Sequence, residues 1–214
     1  MFNRVILFAL VLAFAPLTSF AAEKFEEGVN YFEIFPSYPD DNKSKVTVRE
    51  FFWYNCPHCF DFEPHVEKWA ARKGEDVDFL RVPALFNKTA RMHAEVFYAL
   101  KLMGKAEELQ IPIFTSIHVD KHSLDSIEVM EKFLAKHGVD IDKFRGMRQS
   151  FAVQTQVNRA GVLAKRYGIS GVPNMVVDGI YRTGRTKNYT EMIELVDHLV
   201  DKVRKHKVSV AEAK

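Results

Sequence analysis

The stretch Cys56-Pro57-His58-Cys59 contains the only two cysteines of the 214-residue sequence. It follows the largely apolar run Glu50-Phe51-Phe52-Trp53-Tyr54-Asn55 and precedes apolar residues at helical spacing. A Cys-x-x-Cys pair at a strand-to-helix junction is typical of a dithiol/disulfide redox site. The sequence therefore predicts that the chemistry of this protein is located at these two sulfurs.

The position of the motif at a helix start predicts different roles for the two cysteines. Unpaired backbone N–H groups and the positive end of the helix dipole stabilise a thiolate at Cys56 and lower its pKa. Cys59, one turn into the helix, is expected to be shielded and less acidic. Cys56 is thus predicted to exchange with substrate thiols, and Cys59 to close the ring.

The two intervening residues are predicted to tune the disulfide. Pro57 suits the first helical position, because it has no N–H to leave unpaired and its φ is already helical. The imidazole of His58 can donate a hydrogen bond to the Cys56 sulfur or carry positive charge beside it. Both effects favour the thiolate, and stabilising the reduced form makes a disulfide a stronger oxidant.

Two other interpretations of the cysteine pair remain open at this point. A structural zinc site needs four ligands, commonly two Cys-x-x-Cys pairs or a cysteine pair with a histidine pair. The sequence has no second cysteine pair. The cysteines could also be an inert chance pair.

Residues 1–21 have the pattern of a secretory signal peptide. Arg4 is followed by an apolar core at residues 5–15, which is too short for a membrane span, and Ser19-Phe20-Ala21 is a small-x-small cleavage signal. The alternative is an uncleaved N-terminal anchor.

Export to an oxidising compartment favours structural disulfides, but a disulfide within the short Cys56–Cys59 motif closes a loop too small to stabilise the fold much. Chemistry explains the pair better than stabilisation does.

The mature chain is long enough for one domain, or one domain with an insertion. Removing the signal peptide removes one positive charge, so the formal net charge falls from +2 to about +1. A near-neutral chain gives no electrostatic reason to expect nucleic acid as a partner.

Glu50 is a candidate proton carrier. Residues 46–54 alternate as a strand whose two faces both become apolar toward its end, which is typical of a central strand covered on both sides. Burial in such a strand raises the pKa of a carboxyl group, and Glu50 could then move protons to or from Cys59. The alternative is an ordinary charge at a frayed strand end.

The segment 86–149 is predicted to form consecutive short helices without an intervening strand. Expected boundaries are an N-cap at Thr89, a helix opened by Pro112, N-caps at Ser123 or Asp125 and at Asp140, and a stop at Gly138.

The chain is accordingly divided into a signal peptide (1–21), a first α/β part (22–85), an inserted helical domain (86–149) and a second α/β part (150–214). His118 and His122, four residues apart, are read as a solvated helix face rather than as a metal pair.

The remaining segments complete an α/β pattern. Residues 31–35 are expected to form a short edge strand, and residues 77–82 a second strand. Ser150 to Tyr167 reads as a long helix closed by Gly168, and Asp178-Gly179 between apolar pairs predicts a β-hairpin. Thr190 is expected to cap a final amphipathic helix.

With these residues in view, the chain resembles the DsbA family of the thioredoxin superfamily, the thiol:disulfide oxidoreductases of the bacterial periplasm. The resemblance rests on Cys56-Pro57-His58-Cys59, the Glu-Phe-Phe lead-in at Glu50, Gly171-Val172-Pro173, the helical insert and the signal pattern. It implies an α/β thioredoxin-like fold with an inserted all-helical domain. This family is the type case of a low-pKa cysteine and a strongly oxidising disulfide.

The resemblance also implies a role for the Val172-Pro173 loop. It implies a cis peptide bond at Val172–Pro173, lying against the active-site disulfide, where a substrate strand can pair briefly with exposed backbone. The alternative is a trans-proline in a plain loop. Glu50 matches the buried acid of the family.

The predicted function is donation of the Cys56–Cys59 disulfide to reduced, unfolded exported proteins, with no bound cofactor. By resemblance, a DsbB-type membrane protein returns the electrons to quinone, the location is the periplasm, and the protein is a monomer. One alternative is a reductase or isomerase of the DsbC/DsbG type, against which the short leader before residue 46 counts. Another is a peptide-binding chaperone with incidental thiols.

Overall fold

The computed structural model of the chain describes residues 24–39 and 44–212. The predicted signal peptide, residues 1–21, lies outside the described residues. Within the described part of the chain, no helix combines the length and the apolar character needed to cross a membrane.

The described residues form five strands and seven helices in an α/β order. The strands are β1 (Tyr31–Glu33), β2 (Val46–Phe52), β3 (Val77–Pro83), β4 (Asn174–Val177) and β5 (Tyr181–Thr183). The helices are α1 (Pro57–Arg72), α2 (Lys88–Leu102), α3 (Ala106–His118), α4 (Ile127–Lys136), α5 (Ile141–Gln149), α6 (Phe151–Arg166) and α7 (Tyr189–Glu212).

One mixed sheet with the strand order β1-β5-β4-β2-β3 organises the molecule. Strands β2 and β3 are parallel and are connected through α1, whereas β4 pairs antiparallel with β2 and β5. All seven residues of β2 are buried, which confirms the predicted central strand. The hairpin at Asp178-Gly179 and the edge position of β1 are also confirmed, and both turn residues have positive φ.

Two hydrophobic clusters hold the helices to the sheet. One joins the ends of β2 and β3 to helices α2 to α6 and includes Cys56 and Cys59. The other joins β2, β3 and β4 to α1 and α7 and includes Phe62, Val66 and Trp69 of α1. Helix α1 therefore contributes to both clusters. The cysteine motif at its first turn belongs to the cluster that includes helices α2 to α6.

Four helices, α2 to α5, lie between β3 and α6 with no strand among them. This order agrees with the predicted thioredoxin-like fold carrying a helical insertion. The domain boundaries at residues 86 and 149 remain an interpretation of the sequence.

Several predicted helix starts are wrong. Asn87, not Thr89, caps α2, because its side-chain oxygen accepts the Ala90 N–H at 2.9 Å. Ser126, not Ser123 or Asp125, caps α4, and Asn188, not Thr190, accepts the Glu191 N–H at 2.9 Å at the start of α7. In each case the cap is the residue whose side chain reaches the N–H three residues later.

Other predicted helix boundaries are confirmed, with one exception at Pro112. Asp140 and Ser150 are N-caps, and Gly138 and Gly168 end their helices with positive φ. Pro112 does not open a helix but lies inside α3, which already begins at Ala106. The buried residues Ala106, Leu109 and Ile113 share one helical face and carry the helix through the proline.

Candidate active site

A tight turn delivers Cys56 from the end of β2 to the start of α1. The Cys56 N–H donates to the Trp53 carbonyl at 3.0 Å. Cys56 is the N-cap of α1, and its Sγ accepts the Cys59 N–H at 3.4 Å. The helix begins at Pro57, as predicted, so the motif is placed at the positive end of a helix.

The two thiols lie in different surroundings. Cys56 is 8% exposed and Cys59 is fully buried. The pKa of Cys56 is lowered to about 6, mainly by a hydrogen bond from the Cys59 thiol. Burial opposes this shift, whereas the backbone N–H groups of Cys59 and His58 and the His58 charge add to it. Burial, followed by interactions with Cys56, raises the pKa of Cys59 far above its ordinary value. The difference has the direction predicted from the sequence.

The contribution of His58 differs from the expectation. Its backbone N–H and its charge both lower the Cys56 pKa, but the Cys59 thiol contributes most and the His58 charge least of these effects. The imidazole is exposed, and its Nδ1 lies 3.3 Å from the Tyr189 hydroxyl. Tyr189 is 131 residues away in sequence, and no local pattern could have identified this contact.

The Val172-Pro173 loop lies against Cys56. The Val172–Pro173 peptide bond is cis, as the resemblance implied. The Cys56 thiol donates to the Val172 carbonyl at 3.5 Å. A groove of about 560 Å³ opens beside the loop. Its walls are His58, Val172, Pro173, residues 184–189 and Met192.

Glu50 lies in a buried charge cluster that the sequence did not reveal. Arg81, on the neighbouring strand β3, has its Nε 3.4 Å from Glu50 Oε2 and donates to Glu63 Oε1 at 2.6 Å. Its guanidinium also contacts Glu67 and Glu107. Glu50, Glu63 and Arg81 are all buried, so one cation serves several carboxylates.

Burial outweighs the attraction of Arg81 in this cluster. Desolvation raises the pKa of Glu50 to about 8, with a further increase from the Glu63 charge and a decrease from Arg81. Desolvation likewise raises the pKa of Glu63 to about 7. The Glu50 charge also contributes to the raised pKa of Cys59. The buried carboxyl that the sequence predicted is therefore electrostatically coupled to the inner thiol.

The two histidines of the helical segment have separate surroundings. His122 is exposed, as predicted, but it lies in the loop after α3 and not on a helix face. The solvated-face interpretation is also wrong for His118, which is half-buried and lies 2.7 Å from the Tyr54 carbonyl through Nε2. Among the described residues, no group of three or more candidate ligands is arranged to hold a metal ion.

Comparison with known proteins identifies the family. The DSBA-like thioredoxin domain family matches residues 65–194. The thiol:disulfide interchange protein DsbA of Pseudomonas aeruginosa is 37% identical over 205 residues, which cover 94% of this chain and 97% of the relative. The chain belongs to the DsbA family. DsbA of Burkholderia cepacia is 42% identical over 168 residues, covering 77% of this chain and 78% of that protein.

Solved DsbA structures share the fold. The crystal structure of Pseudomonas aeruginosa DsbA aligns with a TM-score of 0.82 at 37% identity, covering 86% of this chain and 97% of that one. The DsbA structure from Xylella fastidiosa aligns with a TM-score of 0.77 at 28% identity, covering 82% and 96%. This member of the DsbA family is a thiol-disulfide oxidoreductase that exchanges disulfides with substrate proteins. The family match begins at residue 65, after the cysteine motif. The assignment of the site residues is therefore based on the geometry described above.

Proposed function

We propose that the protein is a dithiol oxidase that donates its Cys56–Cys59 disulfide to reduced, unfolded exported proteins. The observation that carries this proposal is the position of Cys56 at the start of α1, where its Sγ accepts the Cys59 N–H at 3.4 Å. Hydrogen bonds from the Cys59 thiol and the first-turn N–H groups lower the Cys56 pKa to about 6. A protein that stabilises its reduced form gives up its disulfide readily.

The exchange proceeds in two displacements. A substrate thiolate attacks Cys56 Sγ, the Cys56–Cys59 bond breaks, and Cys59 leaves and takes up a proton. A second substrate thiolate then attacks the substrate sulfur of the mixed disulfide, and Cys56 leaves as a thiolate. The substrate dithiol loses two electrons, and the enzyme disulfide gains them and becomes a dithiol.

The proposed roles divide attack and protonation between the two cysteines. Cys56, at the surface end of the motif, forms the mixed disulfide, and Cys59 is shielded from substrate because it is fully buried. Glu50, whose pKa of about 8 keeps it protonated at neutral pH, supports proton uptake by Cys59 as that thiolate leaves. Pro57 starts the helix, and His58 adds charge and an N–H group beside Cys56.

Substrate backbone is proposed to pair at Val172 and Pro173. The Val172 carbonyl is 3.5 Å from Cys56 Sγ, so a chain held there has its cysteine beside the reactive sulfur. The adjacent groove of about 560 Å³ supplies room for neighbouring substrate side chains. Pro173 has no N–H and therefore presents no competing donor to the sulfurs.

The proposed setting is the periplasm. The signal pattern of residues 1–21 and the resemblance to periplasmic oxidoreductases support it. We further propose reoxidation by a quinone-linked DsbB-type membrane protein, action as a monomer, and the dithiol itself as electron carrier without a bound cofactor. A surface without a strongly basic balance supports protein rather than nucleic acid as the partner.

The decisive experiment is the redox equilibrium of the purified mature protein with glutathione, measured by thiol trapping. We expect the protein to be largely reduced at glutathione ratios that leave thioredoxin-like reductants oxidised. A potential near that of thioredoxin would contradict the proposal and indicate a reductant with the same fold.

The alternatives make different predictions. A DsbC/DsbG-type isomerase would repair scrambled disulfides without added oxidant, whereas we expect weak isomerisation here. A chaperone with incidental thiols would keep its activity in Cys56→Ser. We expect Cys56→Ser to lose all oxidation of a reduced model protein, while remaining folded.

A further inference from the structure

The turn before Cys56 has a central peptide, Tyr54–Asn55, whose orientation sets the turn type. Trp53 and Cys56 close this turn by a backbone hydrogen bond of 3.0 Å, and Tyr54 and Asn55 are its central residues. Flipping the Tyr54–Asn55 peptide would convert between turn types and require positive φ at Asn55. Among the described non-glycine residues, only Lys121 and Asp178 have positive φ. Asn55 thus keeps the ordinary conformation.

His118, the last residue of α3, contacts this peptide directly. Its Nε2 donates to the Tyr54 carbonyl at 2.7 Å, since a carbonyl can only accept. Its ring also stacks on Phe60, with centroids 5.2 Å apart and planes 16° apart. One side chain therefore contacts the residue two before Cys56 and the residue directly after Cys59.

Two further contacts from the helical segment hold the same turn. Asn55 Nδ2 donates to Asp125 Oδ1 at 2.6 Å, and Ser123 donates to the other oxygen of Asp125 at 2.6 Å. The Tyr54 hydroxyl is bonded to Gln110 of α3 at 3.1 Å. Both central residues of the turn are thus held by groups between β3 and α6.

We propose that His118 is a positioning residue for the exchange reaction, which fixes the central peptide of the turn and so the orientation of Cys56. A fixed Tyr54–Asn55 peptide holds Cys56 in its N-cap conformation, with φ −85° and ψ 114°. In that conformation Sγ faces the Cys59 N–H at 3.4 Å. Asp125 supports the same turn through Asn55.

The proposed role explains why α3 and the loop after it contact the residues before the motif. The helices between β3 and α6 do more than cover the sheet, because their α3 end and following loop hold the residues that precede the reactive cysteine. The proposal rests on the exchange chemistry of the family and does not depend on the direction in which electrons flow.

The test compares three variants of the mature protein. His118→Phe keeps an aromatic ring against Phe60 but removes the donor, and His118→Gln keeps a side-chain N–H. The matched control is His137→Phe, because His137 also contacts a carbonyl (Phe133, 2.9 Å) and a ring (centroids 4.1 Å apart) but is the C-cap of α4. The readouts are the Cys56 pKa from thiolate absorbance and the equilibrium constant with glutathione.

The expected result is specific to the donor. His118→Phe should raise the Cys56 pKa by about half a unit to one unit, the equivalent of one ordinary hydrogen bond. The glutathione equilibrium should shift about three- to tenfold toward the disulfide form. His118→Gln should lie near the wild type, and His137→Phe should match it.

Two outcomes would overturn the proposal. One is a folded His118→Phe protein with the wild-type pKa and equilibrium. The other is an equal shift in His118→Phe and His118→Gln, because a retained side-chain N–H would then make no difference. If His118→Phe does not fold, Asp125→Ala tests the second contact, and wild-type values in that folded variant would also overturn the idea. Failure of the proposed oxidase function would appear separately, in the potential of the wild type.

Discussion

Cys56 and Cys59 are chemically alike but have opposite pKa shifts, because each sulfur has different neighbours. Cys56 Sγ faces donors, among them the Cys59 thiol and backbone N–H. Cys59 is fully buried and faces the Cys56 sulfur. For the single residues, the reactivity of the motif therefore depends on the hydrogen bonds that Cys56 receives and on the burial of Cys59.

This ranking predicts unequal effects of substituting His58 and Cys59. Cys59→Ala removes the strongest donor and should raise the Cys56 pKa by about one to two units, since hydrogen bonds to charged groups are worth about 1.5–3 kcal/mol. His58→Ser keeps its backbone N–H and should raise the pKa by less. Thiolate absorbance across a pH titration measures both. A larger shift in His58→Ser would contradict the ranking.

Glu50 predicts a pH dependence of stability. Its pKa is about 8 in the folded protein and near 4.5 otherwise, so the folded state holds one more proton between these values. Stability should then fall as pH rises through this window, by at most about 1.4 kcal/mol per pH unit. Glu50→Gln should make this decline shallower.

The measurement is urea unfolding of the oxidised protein, in which neither cysteine titrates, at about pH 5 and about pH 8. Glu108→Gln is the control, because Glu108 is exposed and forms a surface ion pair with Lys105. Equal pH slopes for the wild type and Glu50→Gln would show that Glu50 does not titrate in this window.

At the scale of the element, helix starts were the least predictable feature. The sequence predicts Thr89 as the cap of α2, yet Asn87 accepts the Ala90 N–H. Asn and Thr are both good N-caps in isolation, and the choice depends on where the preceding loop turns. The apolar periodicity predicted that a helix exists here but not the residue at which it begins.

The cap of α2 can be tested by a matched pair of substitutions. Asn87→Ala removes the capping oxygen and should lower the free energy of unfolding by about 1 kcal/mol. Thr89→Ala lies within the first turn, where alanine is a better helix former, and should change it by less than about 0.5 kcal/mol. Urea unfolding at neutral pH measures both values. A greater loss in Thr89→Ala would restore Thr89 as the cap.

At the scale of the whole molecule, redox state and stability are linked. The structure stabilises the Cys56 thiolate, while a disulfide in so short a loop restricts the unfolded chain little. The reduced protein should therefore be more stable than the oxidised one. Since the Cys56 pKa is lowered, this advantage is present above the ordinary cysteine pKa and declines as pH falls through about 6.

Urea unfolding with and without a reductant, at about pH 8 and about pH 6, tests this linkage. The reduced form should have the higher midpoint, and the difference should be larger at the higher pH. A double Cys56→Ser, Cys59→Ser variant is the control and should have the same unfolding midpoint with and without the reductant. An oxidised form of equal or greater stability would contradict the role of the thiolate.

Features that depend on neighbouring residues could be predicted from the sequence alone. The motif after β2, the helix begun by Pro57 and the hairpin at Asp178-Gly179 follow from spacings of a few residues, because backbone geometry links such positions directly. Burial of Glu50 also followed from the alternation of its strand.

The packing of the fold determines which distant groups meet at the motif. Arg81 reaches Glu50 because β2 and β3 are parallel neighbours. His118 reaches Tyr54 across 64 residues, and Tyr189 reaches His58 across 131. Such contacts depend on how helices pack on the sheet, which no local spacing encodes. The type of chemistry could therefore be predicted from the four residues of the motif. The groups that shift the pKa values of its cysteines are brought there by the packing of the fold.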